Sequence, residues 1–231
     1  MKQYKTIYIY TVAKVGSSTL YHSLNKKYKV EHGHSLLFLK DFLKNKSNSL
    51  FIAGIRNPIN RNLSYFFQTY KDKFYNEVKT KKNDYKGEYC YNKDLIDCND
   101  SNKYIKAFHN FEYLYSFNDW FIEFLNLTNI KEFDKDKGYQ LYKLDNNNTL
   151  LFYTLESLNK NKKDLCKLLE ITKIKDSNKT SDKGYSKLYS DVKKNIKYKK
   201  SYITDLLDTD IIKLFYNQNK IDEFKKVNYI S

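Results

Sequence analysis

The chain has 231 residues, 41 % of them apolar, with 23 Tyr and 15 Phe; that excludes a disordered polymer and suits one domain, 1–231, burying roughly 70 % of its unfolded surface. Its 42 Lys plus Arg against 27 Asp plus Glu give a formal charge of +15, which suits an anionic partner: nucleic acid, an anionic membrane, or a small polyanion such as a nucleotide. Cys90, Cys98 and Cys166 form neither a CxxC pair nor an even disulfide framework, and no stretch of about 20 apolar residues occurs, so we expect a cytoplasmic protein with neither secretion signal nor membrane anchor.

Thr6 to Val12 is a β-branched and aromatic run that reads as a strand buried on both faces. Ala13 to Ser17 forms a short polar loop. A helix follows from Ser18, with Leu20 and Leu24 on one face and Ser17 or Ser18 as cap. Leu50 to Ile55 is a second apolar run of strand length, and Pro58 suits the first turn of the next helix, which runs through Tyr65, Phe66 and Tyr70. Two strand-loop-helix units argue for an α/β fold with a central parallel sheet.

The stretch from about 79 to 103 is polar and irregular, a long loop of the kind that binds substrate. Tyr104 to Leu127 carries Phe108, Phe111, Tyr115, Trp120 and Phe124 at helical spacing, read as a core stripe. Gly138 to Leu144 and Thr149 to Leu155, separated by Asp145 to Asn148, read as a hairpin or a strand entering the sheet. Asn159 to Ile171 reads as an amphipathic helix and Asn178 to Lys187 as a polar loop. Leu188 to Tyr229 reads as further helices, with a basic stretch at Lys193 to Lys200.

A loop between a buried strand and a helix aims backbone N–H groups at whatever sits there, which favours phosphate. Lys14, Val15, Gly16, Ser17, Ser18 and Thr19 supply a turn glycine, three hydroxyls and a lysine in such a loop. It is not a Walker A loop, because the lysine precedes the glycine instead of the hydroxyl residue. After the second strand come Arg56 and, eight residues on, Ser64. Of the two arginines in the chain, Arg56 and Arg61, Arg56 is placed to offer its rigid fork to a phosphate, with a helix hydroxyl beside it.

Together these segments resemble the 5′-phosphosulfate and 3′-phosphate motifs of the sulfotransferases that use 3′-phosphoadenosine 5′-phosphosulfate (PAPS). The resemblance implies a P-loop-like three-layer sandwich, the sulfotransferase fold. Glu31-His32-Gly33-His34-Ser35 is similar to the His-Gly-His stretch of the heparan and uronyl 2-O-sulfotransferases, which implies His34 as general base and His32 beside it in the acceptor site. An imidazole with the ordinary pKa of about 6.5 can take that proton at neutral pH. The alternative is that both are ordinary loop histidines; His22 and His109 read as packing or surface residues.

The likeness continues more loosely. Glu156, in a strand ending Glu-x-Leu, is expected to be structural. Lys179, Thr180 and Lys183 are expected to close over the nucleotide, and Asp210 to Tyr216 is similar to the last helix of the family. The resemblance implies PAPS as cofactor, 3′-phosphoadenosine 5′-phosphate (PAP) as product, Lys14 as a charge-stabilising catalytic group and no metal. It points to a carbohydrate acceptor, such as an anionic capsular polysaccharide. The competing expectations are an ATP- and Mg²⁺-dependent kinase, for which the Walker A lysine and a clear Walker B carboxylate are missing, and a basic nucleic-acid-binding module. A sulfotransferase fold without activity, scaffolding a polysaccharide-assembly complex, is a third.

Overall fold

The computed structural model describes residues 4, 6–68, 98–111, 118–158, 160–175 and 183–230, with 36–38 and 111 described in backbone only. β1 (Ile7–Tyr10), β2 (Val30–Gly33), β3 (Leu50–Ile55), β4 (Tyr139–Lys143) and β5 (Thr149–Thr154) form one sheet in the order β2-β1-β3-β5-β4. Every neighbouring pair is parallel except β4 with β5, which is the expected hairpin and adds an antiparallel edge. The first strand of the chain is therefore interior to the sheet, not at its edge.

Alternation along the strands divides the apolar residues between two faces. Ile7, Ile9, Ile52, Leu151 and Tyr153 share a core with Leu20 and Leu24 of α1 (Ser17–Leu24) and Leu165 of a later helix (Lys162–Leu168). Tyr8, Tyr10, Phe51, Ala53 and Phe152 face the larger core. Helices cover both faces, and the layering is that of an α/β sandwich.

The larger core takes α2 (Leu36–Asn45), α3 (Pro58–Phe67), α4 (Ser101–Phe111) and α5 (Asn118–Thr128). Aromatic rings do much of the filling: Phe152 stacks on Phe215 at 4.3 Å between centroids, and Phe67 on Tyr104 at 5.3 Å. Offset rings of this kind add about 1 kcal/mol each beyond area burial. The aromatic stretch after Tyr104 is two helices, α4 and α5, within which Phe108 and Phe124 are fully buried while Trp120 packs partly buried against the core. Tyr115 and the side chain of Phe111 lie outside the described residues.

Among the described residues the remaining helices are α6 (Leu155–Leu158), α7 (Lys162–Leu168), α8 (Ser186–Asn195), α9 (Lys200–Leu207), α10 (Asp210–Phe215) and α11 (Gln218–Phe224). Of the polar loop at 79–103, residues 79–97 lie outside the described set, and Ser101 already opens α4. No helix among the described residues is long and apolar enough to cross a membrane.

Candidate anion site at the sheet switch point

In the order β2-β1-β3, the chain leaves β1 for a strand on one side and later returns to β3 on the other. The loops after β1 and β3 feed helices on opposite faces, α1 in the smaller core and α3 in the larger. Such a divergence opens a crevice at the carboxyl ends of two adjacent strands, the usual ligand position in open α/β sheets. The Lys14 loop and Arg56 occupy it.

The loop coils tightly, with left-handed backbone at Lys14 (φ 73°) and at Gly16 (φ 87°). The φ of 87° is what requires glycine at position 16, and a Cβ there would also stand 2.6 Å from Leu155 Cδ1, so that side chain would have to shift. Lys14 holds its strained conformation because the loop is braced from below. The Ala13 carbonyl accepts from Arg61 Nε at 3.3 Å, the Lys14 carbonyl from Arg56 Nη1 at 3.3 Å, and the Val15 carbonyl from the Tyr153 hydroxyl at 2.8 Å. In a trans peptide the carbonyl and the next residue's N–H point opposite ways, so tying these carbonyls turns the amides of Lys14, Val15 and Gly16 the other way, the last of them leading into the first turn of α1.

Among the described residues no acceptor meets the backbone N–H of Gly16, Ser17 or Ser18; the first bonded amide is Thr19, to the Gly16 carbonyl at 3.1 Å. These donors, at the positive end of α1, form a cradle for an anion.

Arg56 is half-buried, and its positive charge offsets part of the rise that burial imposes on the Tyr189 hydroxyl pKa. Next to it Asn57 caps α3, its side chain accepting from Ile59 N at 2.9 Å and Asn60 N at 3.3 Å, with Pro58 in the first turn as expected. Asn57 N donates to Glu156 Oε1 at 2.8 Å, and the Tyr216 hydroxyl donates to Glu156 Oε2 at 2.8 Å. Glu156 lies on α6, just past β5, and not in the strand as expected, and it links the β3–α3 turn to Tyr216 at the end of α10. Burial, with Glu156 adding to it, pushes the Tyr216 hydroxyl well above its ordinary pKa, so it stays a donor. Ser64 sits within α3 and is 5 % exposed.

The histidines gather at the other side of the loop, on the β2 edge. Thr11 N donates to the Gly33 carbonyl at 3.3 Å, and His34 Nδ1 lies 2.6 Å from the Thr11 carbonyl. A carbonyl only accepts, so Nδ1 carries the proton and Nε2 of the neutral ring keeps its lone pair. Trp120 Nε1 donates to the His34 carbonyl at 3.1 Å and fixes the backbone. The His32 ring meets His34 edge-on at 5.1 Å and stacks on Tyr21 at 5.7 Å. Desolvation of the ring by the groups packed around it, with His34 and His22 contributing, pulls the His32 pKa below the ordinary value, although the residue keeps an exposed surface. Thr11 Oγ1 is the one buried side-chain polar atom among the described residues with no partner.

The structure therefore brings Lys14 to Thr19, Arg56, His32 and His34 to one end of the sheet. Lys183 lies at the entry to α8, its ammonium over the Tyr185 ring at 5.3 Å, while Lys179 and Thr180 are outside the described residues. A polar cleft of about 290 Å³ adjoins on the β5 side, lined in part by Lys135, Glu156, Lys160, Tyr216 and Lys220. Among the described residues no cluster of three or more His, Cys, Asp or Glu is arranged to hold a metal ion.

Sequence reasoning missed the braces. Arg61, Tyr153, Thr11 and Trp120 all read as generic helix, strand or core positions. One signal was available: Gly54, mid-strand in β3, pairs with Tyr153, and a Cβ there would stand 2.6 Å from that ring. A strand glycine of this kind marks a close approach. Comparison with family models, with curated proteins and with solved structures found no match.

Proposed function

We propose that this protein is a PAPS-dependent O-sulfotransferase with a carbohydrate acceptor, built on the P-loop-like sulfotransferase fold. The observation that carries the reading is the braced loop: carbonyls 13–15 bound inward by Arg61, Arg56 and Tyr153, and the amides of Gly16, Ser17 and Ser18 left for an anion beside Arg56. Donors fixed before the ligand arrives cost no reorganisation when charge develops.

In this reading the loop from Lys14 to Thr19 holds the 5′-phosphosulfate, and Arg56 with Ser64 holds the 3′-phosphate. Lys183, with Lys179 and Thr180, closes over the nucleotide. His34 Nε2 takes the proton from an acceptor hydroxyl as its oxygen bonds to sulfur, the bond from sulfur to the phosphate oxygen breaks, and PAP departs. Lys14 offsets the charge gathering on the departing oxygen. The Thr11 carbonyl supports the base role by presetting the tautomer of His34, and His32 lines the acceptor side. The +15 charge suits an anionic polysaccharide made in the cytoplasm.

Calorimetric titration with PAP, ATP and ADP tests the reading. The expected result is PAP binding well ahead of both, lost in Arg56→Ala. A preference for ATP favours a kinase instead, and salt-sensitive nucleic-acid binding without any response to PAP favours the basic module.

A further inference from the structure

Among the described residues four large apolar side chains stand exposed: Ile122, Leu141, Tyr229 and Ile230. Two of the four are neighbours, and they lie against a run of lysines. Residues 193–200 carry five lysines and 225–226 two more, while neither 193–200 nor 225–230 holds an Asp or Glu. None of these residues has a part in the reading above.

Backbone hydrogen bonds join the two stretches. Between α8 and α9 the backbone is extended at Ile196 (ψ 132°) and Lys199 (ψ 138°), so side chains alternate. Ile196 and Tyr198 are buried in the larger core, and Lys197 and Lys199 are exposed. Past α11 the chain comes back alongside. Tyr198 N donates to the Asn228 carbonyl at 2.8 Å, Ile230 N to the Tyr198 carbonyl at 3.0 Å, and Asn228 Nδ2 to the Lys194 carbonyl at 3.4 Å. Tyr229 and Ile230 are thereby fixed beside the lysines while 39 % and 49 % exposed. Lys225 pairs with Asp208 at 2.8 Å, whereas Lys194, Lys197, Lys200 and Lys226 have no ion pair among the described residues.

Exposed charge is ordinary, and so is a single exposed apolar residue. Their combination is selective. A soluble polyanion, nucleic acid or polysaccharide, compensates the lysines but offers an aliphatic side chain nothing. The surface of an anionic bilayer satisfies both, since ammonium groups reach the headgroups while tyrosine and isoleucine enter the boundary with the acyl chains. We propose that residues 193–200 and 225–230 form a docking face for an anionic membrane surface, with the lysines on the lipid headgroups and Tyr229 and Ile230 inserted among them. The face uses no residue of the Lys14 loop, nor Arg56 or the histidines, so it stands or falls apart from the cofactor reading.

The experiment is flotation of the full chain with vesicles of phosphatidylcholine alone and with vesicles of two parts phosphatidylcholine to one part phosphatidylserine. Wild type is expected to float with the mixed vesicles and not with the neutral ones. Lys197→Gln combined with Lys226→Gln should weaken that binding about 10- to 30-fold, as for two lysines lost near an anionic surface. Ile230→Ser, which leaves the charge alone, should weaken it about 3- to 10-fold. Lys173→Gln combined with Lys175→Gln removes the same charge from the other side of the sheet, where Ile174 packs in the smaller core, and should leave binding within twofold. Failure of wild type to bind the mixed vesicles overturns the proposal, as does equal weakening by the two lysine pairs, which marks diffuse attraction by net charge. Unchanged binding by Ile230→Ser overturns it too and leaves the lysines as a face for a soluble polyanion.

Discussion

The two sides of the crevice are built differently. On the β1–β3 side the loop is held by three side-chain donors from α3, the end of β3 and β5, all reaching backbone carbonyls. On the β2 edge His34 is held by one bond at its ring and one at its carbonyl, and β2 itself is largely exposed. A fixed cradle beside a lightly tethered imidazole is the division that the proposed function calls for, with one ligand constant and the other admitted and released. Preorganised donors favour binding of the first, while an open edge leaves room for the second.

The largest expected effect comes from breaking the braced side. Gly16→Val places a branched side chain at φ 87° against Leu155, so we expect a loss of about 3 kcal/mol in denaturant unfolding and no measurable PAP binding. Wild-type stability would mean that the loop is far softer than its contacts imply.

Next come the chemical groups. His34→Ala and Lys14→Ala should each lower turnover about 10²-fold or more. His34→Ala should leave PAP affinity within twofold, since it touches only the β2 edge, and steady-state kinetics beside calorimetry separate these effects. A smaller change should follow from Tyr153→Phe, which keeps the ring against Gly54 but removes the donor to the Val15 carbonyl. About 1 kcal/mol of stability and a few-fold of PAP affinity should go, with turnover at saturation unchanged.

The smallest is a pH effect on the β2 edge. The folded pKa of His32 lies below the ordinary value, so the unfolded chain binds the proton first, and stability falls as pH drops below about 6.5. His32→Gln should flatten that acid-side slope in urea midpoints measured from pH 7 to 5, and an unchanged slope would show the ring to be solvated.

Periodicity made β1, β3 and the β4–β5 hairpin legible, because buried strands concentrate β-branched and aromatic residues. β2 left no such trace: Val30–Gly33 has only one β-branched residue and pairs along one side alone. The candidate site was legible where backbone and charge define it, at Gly16, Lys14 and Arg56. It was illegible where it rests on one hydroxyl or indole meeting one distant carbonyl. Tyr153 is 138 residues from Val15, and Trp120 is 86 from His34; no local pattern encodes such pairings.

The central claim, sulfuryl transfer from PAPS assisted by His34, is tested most directly by following PAP release from PAPS with a panel of uronic-acid-containing oligosaccharides. Wild type should release PAP only when an acceptor is present and return an acceptor heavier by one sulfuryl group, while His34→Ala binds PAP normally but turns over at about 1 % of that rate or less. Transfer by His34→Ala at the wild-type rate, or PAP binding by wild type with no transfer to any acceptor hydroxyl, would contradict it.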